Sequence, residues 1–477
     1  MDRKVLLINP WLSLGIYKNT KLDGLVTQIP ILSLASLSGM LTKEGHQVEI
    51  LDLIISDSPQ KDLYTKLARF LPDYVGITFS TPAYQEMKII AKTVKDFNNS
   101  IILIGGGPHA SALPEETLQD TLLDLIVIGE GEETLKEIIN GNPWENIEGV
   151  CYKKNSKIIK NKPRRLIDNL DNLPFPAWEK FNLQKYKSSP ITSKSFPVGP
   201  IETSRGCAFR CSFCNKNIFG HKVRAKSIIR VIDEIEFMLK NGFKEIHIWD
   251  ENFAFYENRI LEMCKEIEQR NLKFLWNIFF GVRTDSVDKE FFDAIAKAGC
   301  YSVAFGIESG NQEILDGVCK GIKLEQCKKV VKFAKEAGLE TVCYFMLGLP
   351  GENEKTLKDT IKFAVELNPT YAKASITIPF PSTEMFLQIE QEGRIKSYDW
   401  SRYNLHNTSD VYQHENLTWE HIHRYYNQFY RKFYFRPSYV FTRFKKDILH
   451  GGLFFDLRHC TNFIASKFNN YTYAQNH

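Results

Sequence analysis

The chain has 477 residues, 61 Lys+Arg against 57 Asp+Glu for a formal net charge of +4, and 43% hydrophobic against 25% charged residues. At about 150 residues per domain this suffices for some three domains and more than one core, and it excludes a disordered chain. The small charge gives no general case for a nucleic-acid binder, and no run of roughly 18 apolar residues suggests a membrane span.

The opening MDRKVLLINPW reads as a first strand rather than an export signal, so the ten cysteines are expected in the reducing cytoplasm, where ligand or catalytic roles outrank disulfides. Further apolar, β-rich runs follow at 47–53, 74–80, 100–107 and 125–131. They alternate with helical periodicity over 31–43, 60–70, 84–97 and 114–121. This pattern predicts a doubly wound α/β domain with a parallel sheet covered on both faces. Ligands of such domains sit at the carboxyl ends of the strands.

Those ends carry Ser80 and Thr81 after the third strand, Gly105, Gly106, Gly107 and His109 after the fourth, and Gly129, Glu130 and Gly131 after the fifth. Glycines admit close backbone approach to a ligand, and small hydroxyls add donors. The same residues also make tight strand-to-helix turns, and the pattern alone leaves both readings open. Dinucleotide and P-loop signatures are absent.

The GGGPHAS and IGEGEET segments, after the LINP opening and the EGHQVEILD second strand, resemble the cobalamin-binding domain fused to many radical S-adenosylmethionine (SAM) enzymes. The resemblance implies a Rossmann-like (flavodoxin-like) domain over 1–145. Ser80, Thr81, Gly105, Gly106, Gly107, His109, Gly129, Glu130 and Gly131 would then line the cobalamin slot. The D-x-H-x-x-G signature, whose histidine ligates cobalt in some cobalamin proteins, is absent. His109 is a better contact candidate than His46, and the lower axial face of cobalt is unassigned.

Residues 146–196 read as a connector. Seven basic residues in the thirteen of KKNSKIIKNKPRR suggest a solvated hairpin or linker, and NLDNLPFPAWEKF an extended strap pinned by apolar anchors.

Cys207, Cys211 and Cys214 then stand in C-x3-C-x2-C spacing within TSRGCAFRCSFCNKN. Three soft thiolates on one loop can hold three corners of an iron–sulfur cluster. Structural zinc is the rival, but it usually takes four closed ligands and no fourth lies at a normal finger distance. After Cys214, βα units recur at roughly 30-residue intervals. Strands are expected at 197–204, 245–250, 275–283, 301–307, 340–347 and 371–378, and helices at 228–241, 259–270, 289–298, 324–337 and 354–366. Six parallel strands with outer helices predict a partial (β/α) barrel over 197–395, its active site at the strands' C-terminal ends.

The cysteine spacing, with Phe213 before the last cysteine, resembles the radical SAM signature. That resemblance implies a [4Fe-4S] cluster on Cys207, Cys211 and Cys214 whose unique iron chelates SAM. It also implies that Asp250 and Glu251 meet the SAM amino group, Glu308 or Ser309 the ribose or carboxylate, and Arg283 the carboxylate. Met346, Leu347 and Gly348 would lie near adenine, and Ser382 replaces a glycine common at the sixth strand's turn. Cys264, Cys300, Cys319, Cys327 and Cys343 read as core residues, while Cys151 and Cys460 are unassigned.

From 396 to 477 the βα rhythm stops. The stretch 425–446 mixes ten aromatics with basic side chains at near-helical spacing. It reads as a helical cap packed on the barrel mouth or as a peripheral membrane or nucleic-acid surface.

Over nearly its whole length the chain resembles the cobalamin-dependent radical SAM enzymes. The resemblance implies methylation of an unactivated carbon or phosphorus in a small-molecule, lipid or natural-product substrate, with an electron donor such as flavodoxin or ferredoxin. Cyclisation, ring rearrangement or oxidation is the enzymatic alternative, and a non-catalytic cofactor-binding or redox-sensing protein the other.

Overall fold

The computed structural model describes residues 2–11, 28–187, 189, 192–406 and 408–450; Cys460 and the rest of the tail lie outside them. The first unit runs β1 (Lys4–Asn9), α1 (Leu32–Lys43), β2 (Gln47–Asp52), α2 (Pro59–Phe70), β3 (Tyr74–Thr78), α3 (Tyr84–Phe97) and β4 (Ile102–Gly106). It continues with α4 (Pro108–Ala112), α5 (Pro114–Asp120), β5 (Leu125–Val127), α6 (Glu132–Ile139), β6 (Val150–Lys154) and β7 (Lys157–Lys160). The sheet order is β2-β1-β3-β4-β5-β6-β7. Its first five strands are parallel, in the flavodoxin-like order.

β1 shows why the sheet is covered twice. Val5 and Leu7 enter one apolar cluster while Leu6 and Ile8 enter another, all four buried. Alternate side chains point to opposite faces, so an apolar run needs cover on both. The expected connector is corrected here: β6 and β7 form a hairpin that extends this sheet antiparallel to β5. Cys151, unassigned from sequence, is a buried residue of β6.

The barrel follows, from β8 (Val198–Ile201) and the short clip β9 (Ser204–Arg205) and β10 (Arg224–Ala225) to α7 (Ile228–Lys240) and β11 (Glu245–Ile248). Then come α8 (Glu257–Gln269), β12 (Leu275–Val282), α9 (Lys289–Lys297), β13 (Cys300–Glu308), α10 (Gln312–Gly317), α11 (Leu324–Glu336) and β14 (Glu340–Leu347). The chain goes on through α12 (Glu354–Leu367), β15 (Tyr371–Ile376), α13 (Glu384–Gln391), α14 (Trp419–Tyr434) and α15 (Pro437–His450). Six strands in the order β15-β14-β13-β12-β11-β8, every neighbouring pair parallel, make the open barrel. Along β14 and β15 buried residues alternate with half-buried ones. Cys343, Phe345 and Leu347 pack outward among the helices, while Tyr344, Met346 and Lys373 face the lumen.

The aromatic stripe of α14 does not simply cap the mouth. β15 is an edge strand, whose free N–H and C=O groups need partners. Tyr430 Oη accepts from Ala374 N–H at 3.1 Å and donates to its carbonyl at 2.9 Å. One turn on, Tyr434 Oη does the same at Ala372, at 3.2 and 2.9 Å. Phe429 packs on Phe345 between them. The stripe of α14 seals the open edge of the barrel with Phe429, Tyr430 and Tyr434, while Phe435 and Phe441 beyond it stay exposed. No described helix is long and apolar enough to cross a membrane.

Candidate active site at the facing strand ends

The cysteine loop leaves the barrel after β8 and returns at β10. Gly206 pinches its base with φ +89°; a Cβ there would stand 2.3 Å from the carbonyl oxygen of Lys222. Backbone bonds then tie the loop down. Cys207 N–H donates to Gly220 O at 3.3 Å, Ser212 N–H to Val318 O at 3.1 Å, and Met385 N–H to Ser212 O at 2.9 Å. Asn215 Nδ2 donates to Pro381 O at 3.3 Å, and Asn217 bonds the Ser382 hydroxyl. Ser382 sits at φ +58°, so the position that carries a glycine in the family pattern keeps the left-handed conformation, held by that bond.

Cations surround the thiols. Burial pushes the Cys211 thiol up, against the pull of Lys320 and Arg283; burial also raises Cys214, against Lys216. Lys216 is driven down by burial but ends above its ordinary value because Cys214, Glu251 and Cys207 attract its charge. Its Nζ lies 4.0 Å from Glu251. Three soft donors with positive neighbours suit an anionic iron–sulfur cluster. Among the described residues no three His, Cys, Asp or Glu side chains converge on one point. A cluster gives each thiolate its own iron.

The other strand ends separate into groups with unpartnered polar atoms and groups paired within the protein. Glu251 Oε2 and both side-chain polar atoms of Asn252 are buried without a hydrogen-bond partner, and Glu251 lies close enough to Cys214 to act on its thiol. Asp250 is engaged within the protein: its carboxylate accepts from Thr203 N–H, Thr203 Oγ1 and Ser204 Oγ, each at 2.6 Å, and pins the stem of the cysteine loop. Ser309, fully buried, shares a hydrogen bond with Thr360 at 3.1 Å and is structural too. Glu308, at φ +67°, pairs with Lys320 at 2.8 Å. Arg283 is held by both oxygens of Asp285, at 3.0 and 2.9 Å, and lies 3.4 Å over the Phe209 ring. Phe213 and Met346 share one apolar cluster, whereas Leu347 is buried away from the mouth.

Gly348, at φ +89°, is braced from two sides. Glu352 accepts its N–H at 2.7 Å and that of Leu349 at 3.0 Å, and Tyr412 Oη donates to its carbonyl at 3.0 Å. Burial raises the Glu352 carboxyl to about 8 against those N–H donors. The residues expected at this turn stopped at Gly348 and did not include Glu352.

On the first domain, the turn after β5 abuts the cysteine loop: a Cβ on Gly129 would lie 3.7 Å from the carbonyl oxygens of Asn217 and Ile218. Ser80 is exposed, and a Cβ on Gly106 would meet only Val127 O, at 4.0 Å, so backbone here is open to a ligand. Gly105, Gly107 and Gly131 differ, since a Cβ on each would meet protein atoms at 2.6, 2.8 and 3.1 Å; they serve packing.

Two residues expected at the cofactor slot are engaged by protein groups. His109 is enclosed by Tyr84 at 4.6 Å, Trp400 at 5.4 Å and Phe79 at 5.9 Å, with Nδ1 bonded to Thr81 Oγ1 at 3.0 Å; burial lowers it to about 4. Glu130 is a clamp between domains. It takes Arg205 at 3.0 Å, Arg224 at 2.8 Å and the Ile167 N–H at 2.8 Å, while Arg205 also binds Glu132 and Glu202 at 2.6 Å. Arg205 and Arg224 were not foreseen, because long-range ion pairing leaves no local pattern. Lys216, two residues after Cys214, and Lys320 were missed as well.

The fold and these strand ends define a barrel enzyme joined to a doubly wound ligand-binding domain. Residues 201–364 match the Radical SAM superfamily and residues 25–139 the B12 binding domain. The chain is 33% identical to the uncharacterized methyltransferase PH0819 of Pyrococcus horikoshii over 442 residues, covering 91% of this chain and 93% of that protein. It is 28% identical to the cytidylyl-2-hydroxyethylphosphonate methyltransferase of Streptomyces wedmorensis, covering 82% of each. Among solved structures, the radical SAM methyltransferase TsrM of Kitasatospora setae, with cobalamin and a [4Fe-4S] cluster bound, superposes with a TM-score of 0.68 at 23% identity, covering 83% of this chain and 76% of that one. The cobalamin-dependent SAM radical enzyme OxsB reaches 0.72 at 18%, covering 97% and 72%. The chain belongs to the radical SAM enzymes that carry a B12-binding domain.

Proposed function

We propose that this protein transfers a methyl group to an unactivated carbon or phosphorus of a small molecule, with a [4Fe-4S] cluster on Cys207, Cys211 and Cys214, SAM beside it and cobalamin on the first domain. The observation that carries this reading is the meeting of the two ligand edges at Gly129 and the cysteine loop. A shared edge lets two large cofactors address one substrate without a diffusive step. When bound, the cluster supplies reductive cleavage of SAM to a 5′-deoxyadenosyl radical, and cobalamin supplies the methyl group.

The chain's own residues bind, orient and exclude water. Glu251 and Asn252 offer their unpartnered atoms to the SAM amino group. Lys216, Lys320 and Arg283 offset the negative charge of the thiolates in a low-dielectric site. Phe213 and Met346 close the apolar side of the loop. Tyr412, with His414 bonded to Leu349 O at 3.0 Å, holds the backbone over which adenine is expected to lie.

Electrons would come from a flavodoxin or ferredoxin. All nine described cysteines are free thiols, which suits the reducing cytoplasm. Reconstituted, reduced protein should convert SAM to 5′-deoxyadenosine, and with the source organism's small-molecule extract should pass a labelled SAM methyl to a product. Cleavage without label transfer would favour the cyclase or oxidase reading. No cleavage would sink the enzyme assignment.

A further inference from the structure

Deep in the barrel lumen stands a cation that no acid answers. Lys373 is three residues before the end of β15, roughly 10 Å below the mouth at about 3.3 Å per residue. Among the described residues its amine has no ion pair or hydrogen bond; burial alone holds its pKa down. Its Nζ lies 5.8 Å from the Phe279 ring centre and 5.9 Å from that of Tyr344. The titratable neighbour is His406, itself bonded to Tyr426 at 3.0 Å and lowered to about 4 by burial first and Lys373 second.

Aromatic rings line the space above it. The pairing of β12 with β13 breaks between Ile278 and Val282, where β12 carries extra residues around Gly281 at φ +90°. Bulges of this kind re-aim side chains. Here both Phe279 and Phe280 turn inward: Phe280 stacks on Tyr344 two strands away at 6.0 Å, and Phe279 stacks on Trp249 at 6.3 Å. Phe280 stays 45% exposed and Trp249, one residue beyond the end of β11, 36%, so both keep open ring surface.

We propose that the lumen holds a substrate subsite for a flat, unsaturated molecule bearing a carboxylate, with Lys373 taking the anion and Phe279, Phe280, Tyr344 and Trp249 taking the π face. A carboxylate beside the ammonium supplies the Coulomb partner that the protein withholds. Anchoring it low in the barrel directs the rest of the molecule up toward the cysteine loop. The inference rests on the methyl-transfer reading for the fate of the bound molecule, but binding can be tested apart from it.

The test is anaerobic titration calorimetry of the reconstituted full chain with 2-naphthoate and its neutral isostere 2-naphthamide. Naphthoate should bind at least tenfold more tightly, and Lys373→Met should erase the difference while naphthamide affinity holds. Equal affinities, no binding, or a difference that survives Lys373→Met would overturn the proposal. The wild-type pair decides even if the variant misfolds. Naphthoate binding no more tightly than saturated decalin-2-carboxylate would overturn the aromatic half. Neither titration needs SAM turnover. A protein that cleaves SAM but ignores naphthoate rejects the subsite alone, and one that binds naphthoate without cleaving SAM rejects only the methyl-transfer reading.

Discussion

The two facing edges treat their strand-end side chains in opposite ways. On the first domain, His109 is enclosed by aromatic rings and Glu130 is bound by two arginines, so what a ligand meets is chiefly backbone. On the barrel, Glu251 and Asn252 keep unpartnered polar atoms at the strand end that follows β11. The first edge uses its charged side chains to hold the domains together; the second pairs most of its own within the barrel and leaves Glu251 Oε2 and the Asn252 amide unpartnered. Substitutions on the first edge should therefore change stability, and substitutions on the second should change activity.

The largest expected effect is at the cysteines. Cys211→Ala should lose the brown cluster absorbance and drop SAM cleavage to background, with a melting temperature close to that of wild-type apoprotein. Retention of colour and cleavage would refute the assignment. Next comes the clamp. Glu130→Gln or Arg205→Met leaves buried charge without its partner, which typically costs about 3–5 kcal/mol. Denaturant titration should show that loss, and a change under about 1 kcal/mol would mean that the domains are joined by other contacts.

A smaller effect is expected on the sealed edge. Tyr434→Phe removes the hydroxyl that serves Ala372 N–H and C=O and leaves buried backbone groups unpaired, at about 1–3 kcal/mol. Unchanged stability would show that the aromatic rings alone cover β15.

The last effect is read as a slope with pH rather than as a single loss of stability. Glu352 has a folded pKa raised to about 8 against 4.5 in the unfolded chain, so between those values the folded state keeps a proton that the unfolded state has lost. Its stabilising contribution is complete below about pH 4.5 and is lost as pH rises through 8. Glu352→Gln should therefore show a shallower fall in melting temperature from pH 5 to 8 than wild type. Parallel curves would place the shift elsewhere.

What was legible in the sequence follows from the range of each interaction. Strand and helix periods are local, so the five parallel strands of the first domain and the six of the barrel could be read directly. The cysteine loop was legible because cluster ligands lie within eight residues of one another. The clamp joins Glu130 to Arg205 and Arg224 across 75 and 94 residues, and nothing local marks such a pair. The partners of Asp250 were not legible because a strand-end acid looks the same whether it faces a ligand or the neighbouring strand; its three hydroxyl and amide donors lie on β8's continuation, some 46 residues away in sequence. The basic 153–165 stretch looked solvated because its lysines are, while its backbone extends the first sheet.

The central claim is that one chain brings a cluster and a corrin to a common edge. Anaerobic reconstitution with iron, sulfide and hydroxocobalamin, followed by gel filtration and a visible spectrum with metal analysis, tests it most directly. The account predicts about four irons and one corrin per chain in the same peak. Four irons with no corrin bands would contradict it.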